Sequence, residues 1–187
     1  MKLLTALVLL CYFLPVHFTD FEGIPSEVKE EKIIWAEGRK LTWSDFRGVP
    51  NGPDSYVAST NSGVSFSFSY RERNGHGSVD FAVVSNFYPD LSWYRPSKVT
   101  NYILAHEQMH FDISELHARK LRSLLADIPH DREFKEASEA IYERMEVERR
   151  QMQEQFDMES DHSNNEDAEY RWRKTVAQQL DLYEAWK

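Results

Sequence analysis

A chain of 187 residues with 41% hydrophobic content is long enough to bury a core and too apolar to stay disordered. Its net charge of -9 lacks the basic surface with which nucleic-acid binders meet phosphate, which argues against that class. The one cysteine, Cys11, falls in the N-terminal stretch, so a chain processed there would have no disulfide and could hold a metal only through nitrogen and oxygen.

In chain order, residues 1–19 read as a targeting segment. Lys2 forms a short basic region, and Leu3 to Leu14 is apolar apart from Thr5, too short a run for an ordinary membrane span. Val16-His17-Phe18 lacks the small residues of a cleavage site, so both a removable signal and an uncleaved anchor fit. The expected location is secreted or periplasmic. Residues 20–31 read as a linker, and 32–187 as the functional domain.

Lys32 to Trp35 reads as a short strand. Lys40 to Phe46 reads as a turn and a short helical piece capped by Thr42 or Ser44, with Trp35, Trp43 and Phe46 as core residues. Gly48 to Ser55 is a loop by its prolines and glycines. From Gly63 to Tyr70, Val64, Phe66, Phe68 and Tyr70 alternate with serines, the mark of a half-buried strand. Asn74-Gly75 signals a hairpin turn, and Ser78 to Ser85 returns as the second strand. Asn86 to Tyr94 is expected to leave the sheet as a loop, and His76 to be a solvated turn residue.

Val99 to Ile128 has no glycine or proline and carries apolar residues at helical intervals, with Ser97 as the expected N-cap and Pro129 as the stop. A second helix is predicted from Asp131 to about Phe156, a polar loop from Asp157 to Asp167, and a third helix from Ala168 to Lys187. The fold expected is α+β, a small antiparallel sheet packed on this first helix with two further C-terminal helices.

That first helix carries His106-Glu107-Gln108-Met109-His110. Residues four apart share a helix face, so both imidazoles can reach one ion. Glu107 then stands beside the metal, free to take a proton from its water, which is the logic of H-E-x-x-H zinc hydrolases. The motif therefore predicts Zn(2+), with His106 and His110 as ligands and Glu107 as general base.

A third ligand is required. Glu115 lies about half a turn around the helix from His106, and His117 about 10 Å beyond His110 along the axis. If a short turn at Pro129-His130 makes the first two helices antiparallel, the level of the histidines corresponds to about residues 149 to 153. The loop just beyond then returns to the motif, making His162 the preferred ligand. Asp157, Glu159 and Asp161 are alternatives, as ligands or as partners orienting an imidazole, and Glu148 is a further one.

These stretches resemble the bacterial domain-of-unknown-function family 922, described as predicted secreted zinc-dependent proteases of the zincin type. The resemblance rests on Arg39 to Gly48, Tyr56 to Thr60, His106 to Ile113, Glu115 to Leu121, the loop Phe156 to His162, and Trp172. The family pattern has threonine where this chain has Ser160, and glycine where it has Ser163. The resemblance implies a secreted zinc peptidase acting on a peptide or protein substrate. A zinc amidase acting on cell-wall peptides is the alternative, and a non-catalytic exported metal-binding module a third. The strand Val79 to Ser85 is a candidate edge for an extended peptide. No integral membrane domain is expected beyond the N-terminal segment.

Overall fold

The alternation of apolar residues and serines produces the longest strand pair of the molecule. In a computed structural model, which describes residues 31–187, β3 (Ser62–Arg73) pairs antiparallel with β4 (His76–Phe87) along its whole length. The pair is joined by Asn74 and Gly75, both with positive φ (53° and 77°), the combination a tight hairpin turn requires. β1 (Ile33–Ile34) adds on the other side of β4, giving the order β1-β4-β3. The expected signal or anchor (1–19) and all but the last residue of the expected linker (20–31) lie outside the described residues.

Two short strands were not legible in the sequence. β2 (Ala58–Ser59) pairs antiparallel with β5 (Trp93–Tyr94) to form a second, two-stranded sheet. The stretch expected as a loop from Asn86 thus finishes β4, makes a 3-10 turn at Pro89–Leu91 and enters β5. Gly48 allows this crossing, since a side chain there would meet the carbonyl oxygens of Asp90 and Ser92 at 2.9 Å.

Three helices complete an α+β architecture: α1 (Asn101–Ala126), α2 (Phe134–Ser160) and α3 (Glu166–Leu182). Thr100, rather than Ser97, caps α1, its side chain accepting from Ile103 N at 3.3 Å. α2 runs four residues past Phe156, so Asp157 sits on its last turn and not in a loop.

The inward faces of β3 and β4 pack on the C-terminal half of α1 and the start of α2, through Val64, Val83, Leu121, Leu125, Phe134 and Met145. At the other end, Met109, Ile113, Phe156 and Val176 join the three helices. Leu41, Phe46, Phe87 and Phe111 seat the 35–46 segment on α1. Fully burying such side chains stabilises the fold by about 1.5–3 kcal/mol each. Among the described residues no helix is long and apolar enough to cross a membrane.

Candidate metal centre

The four-residue spacing of His106 and His110 on α1 brings their rings to 5.1 Å, at 81° to each other. Phe156, fully buried on α2, stacks on His106 at 4.5 Å and meets His110 edge-on at 5.4 Å. The two imidazoles are thus held from behind by packing as well as by their own helix.

One turn of α2 supplies a carboxylate between them. Asp157 Oδ1 lies 3.2 Å from His106 Nε2 and 3.0 Å from His110 Nε2. The antiparallel pairing expected from the short Pro129-His130 turn is present at this level: Gln153 Nε2 donates to the His110 carbonyl at 2.9 Å. Arg149, one turn earlier, donates to the Ser62 carbonyl at 3.1 Å and ties α2 to β3.

The structure therefore brings Asp157, rather than His162, to the histidine pair. His106, His110 and Asp157 each offer one donor atom within 4.8 Å of the others. His162 lies outside that group: α2 continues through residue 160, so the helix itself presents Asp157 and His162 follows its end. It instead packs against Tyr56 at 5.1 Å, on the wall of the same cavity. Asp161, His162 and Ser163 all have positive φ (49°, 48° and 67°), a run of left-handed residues without glycine. The other candidates have other partners. Glu115 binds Arg119 and Arg122, Glu159 accepts from Gln155 and Trp172, and Glu148 faces Arg144.

Sequence reasoning missed Glu169. It is buried in the first turn of α3, touching His106 Nδ1 through Oε1, and its other oxygen accepts from Arg173 at 2.9 and 3.2 Å. The only hint in the sequence was an acidic residue at the start of a helix. Its distance along the chain from His106 hid the contact.

These neighbours set the charge balance. Burial opposes a charge on His106, but Asp157 and Glu169 outweigh it and push the imidazolium up to about 9. Burial also disfavours the Asp157 carboxylate, yet His106 and His110 hold it well below the usual carboxylate range. Glu107 differs from its neighbours: it is 4% exposed, and its Oε2 has no hydrogen-bond partner among the described residues. A buried orphan of this kind costs on the order of 1–3 kcal/mol.

The donor set fits a divalent cation. In a tetrahedral site with bonds of about 2.0–2.1 Å, donor atoms stand roughly 3.3 Å apart. The 3.0 and 3.2 Å separations found here suit an ion as well as they suit bridging protons. The group opens onto a cavity of about 340 Å³, walled by Ser55 to Thr60 on one side and by α1, α2 and His162 on the other. A second cavity, about 520 Å³, lies behind α1 between Trp35, Leu41, Met109 and Val176, and among the described residues it has no comparable convergence of donors.

The model of a family described as "Bacterial protein of unknown function (DUF922)" matches residues 41–163. The chain belongs to this family. The match spans the 41–46 segment, both sheets' paired strands from β2 onward, α1, α2 and the loop to Ser163, and so takes in His106, Glu107, His110, Asp157 and His162. Neither curated proteins nor solved structures gave a match. Glu169 lies beyond the matched region.

Proposed function

We propose that this chain is an exported zinc-dependent peptidase, with His106, His110 and Asp157 as the metal ligands. The observation that carries the reading is the orphaned Glu107 carboxylate oxygen beside this donor group. A metal site serving only structure needs no such base, and leaving a carboxylate oxygen buried without a partner is unfavourable unless a ligand uses it. Two nitrogens and one oxygen, open to a cavity, match the three-ligand pattern of catalytic zinc.

A zinc ion held there would supply the Lewis acid that activates a water and polarises a carbonyl. Glu107 accepts a proton from the attacking water as its oxygen bonds to the carbonyl carbon. It then gives that proton to the nitrogen as the carbon–nitrogen bond breaks, releasing an amine and a carboxylic acid. Asp157 and the two histidines hold position, with Phe156 behind both rings. Tyr56 and His162 line the space in which the substrate would sit.

A peptide substrate is favoured by β2. Arg95 N donates to the Val57 carbonyl at 2.8 Å, so Val57 and Ser59 turn their backbone groups toward β5. Backbone direction alternates along a strand, and Ala58 therefore presents its N–H and C=O on the opposite edge, within the segment that borders the cavity. The strand Val79 to Ser85, considered from sequence for this role, does not line the cavity. Its Val83 carbonyl is occupied by Arg122, and its Ser85 carbonyl by Trp35 N.

Protein purified without added zinc is expected to carry one zinc per chain by mass spectrometry. Asp157→Ala should lose it, while His162→Ala should retain it. Glu107→Gln should keep the metal and lose about 10²–10⁴-fold in turnover on peptide and cell-wall libraries. Wild-type protein that binds no zinc, or a Glu107→Gln variant that cleaves at the wild-type rate, would end this reading.

A further inference from the structure

We infer that Glu169 is a positioning residue for the metal centre, holding the proton of His106 on Nδ1 so that Nε2 is presented to the ion. The inference rests on the metal-binding reading above. An imidazole can ligate through either nitrogen, and which one does so is set by what the other touches. Here the choice is imposed from outside α1. His106 Nε2 and His110 Nε2 converge on Asp157 Oδ1 at 3.2 and 3.0 Å, while His106 Nδ1 is turned away against Glu169.

Three features fix the Glu169 carboxylate where it is. It stands in the first turn of α3, where the unpaired N–H groups of the helix favour a negative charge, and Asn165 caps that turn by accepting from Ala168 N at 3.2 Å. Arg173, one turn on, grips its second oxygen, leaving the first for the imidazole. Val176, Trp172 and Leu180 pack α3 against Met109, Ile113 and Phe156, so the carboxylate cannot drift without opening that core. At 1% exposure Glu169 is shielded from bulk solvent, with His106 Nδ1 as the partner of its first oxygen. Among the described residues no carboxylate contacts Nδ1 of His110, so the device serves one ligand and not the other.

A purely structural Glu169 would matter only through its pair with Arg173 and its burial. The two roles separate in a zinc competition assay against a chromophoric chelator, run on the whole chain. Glu169→Gln is expected to weaken zinc binding about 10–100-fold and to shift the visible bands of the cobalt-substituted protein. Arg173→Gln, which breaks the same ion pair but leaves the imidazole contact, is expected to change affinity less than about threefold on the same principle. Equal losses in both variants would assign Glu169 a structural role and overturn the inference. Wild-type binding with no change in Glu169→Gln would do the same while leaving the metal reading intact. No zinc binding in the wild type would overturn both. Should Glu169→Gln fail to fold, nitrogen-15 NMR of the zinc-loaded wild type decides: His106 should ligate through Nε2 with a protonated Nδ1, and ligation through Nδ1 would refute the inference.

Discussion

Helix α1 carries two buried clusters of charge that differ in how completely they are satisfied. In its second half, Glu115 accepts from Arg119 at 3.0 Å and Arg122 at 3.1 Å, and Arg119 also reaches Glu184 and the Leu180 carbonyl. Arg122 ends on the carbonyls of Val83 and Trp186, so the cluster ties sheet, helix and C-terminus together with its buried groups paired. In its first half, two imidazoles face Asp157 and Glu169, and the adjacent Glu107 keeps an oxygen without a partner among the described residues. The first arrangement is complete within the protein. The second leaves a buried carboxylate oxygen unpaired among the described residues, which is the difference expected between a brace and a site.

The widest gap between the clusters should appear on replacing one carboxylate in each. Glu115→Gln takes from Arg119, itself 2% exposed, its one buried anion among the described residues and leaves it the exposed Glu184, and breaking a buried pair this way costs about 3–5 kcal/mol. Glu107→Gln removes no side-chain hydrogen bond found among the described residues of the metal-free protein and should change its stability by less than about 1 kcal/mol. Urea titrations of the metal-free variants measure both. Comparable losses would mean that Glu107 is as much a part of the fold as Glu115 is.

The histidines give a second contrast. Whereas carboxylates raise His106, burial pushes His117 down to about 4, although its Nδ1 faces the Ile113 carbonyl at 2.9 Å. In the unfolded chain His117 returns to its ordinary value of 6.5, so below that pH the unfolded state takes up the proton more readily. His117 thus contributes fully above pH 6.5, and its contribution falls as pH drops toward 4, by about 3 kcal/mol in all. Denaturation curves of wild type and His117→Gln across that window should converge as the pH is lowered. Parallel curves would show that His117 remains accessible to protons in the folded state.

Local patterns carried most of the scaffold. Serine alternation marked the hairpin, helical spacing marked α1, and the short 129–130 turn implied the antiparallel pairing that brings α2 to the motif. What escaped was decided by tertiary contact. β2 and β5 are two residues each, and neither has a periodicity to read. The polar residues after Phe156 predict a helix end there, yet α2 continues to Ser160 and so delivers Asp157 to the histidines. Glu169 reaches His106 only through the docking of α3, which no local spacing reports.

The smallest effect concerns the turn that follows Asp157. Asp161, His162 and Ser163 each hold a left-handed backbone, and such a conformation costs a non-glycine residue roughly 1–2 kcal/mol. Asp161 ends α2, its N–H reaching the Met158 carbonyl, while the Ser163 hydroxyl donates to the neighbouring His162 carbonyl. Glycine at 163 would adopt the φ of 67° freely but gain freedom in the unfolded chain. The two effects oppose each other and leave a net stabilisation of about 0.5–1 kcal/mol. Ser163→Gly should therefore raise the unfolding midpoint slightly and leave zinc affinity unchanged, since residue 163 is not among the donors. A loss of zinc affinity in this variant would mean that the strain at 161–163 helps to hold Asp157 in place, joining the turn to the unsatisfied cluster rather than to the scaffold around it.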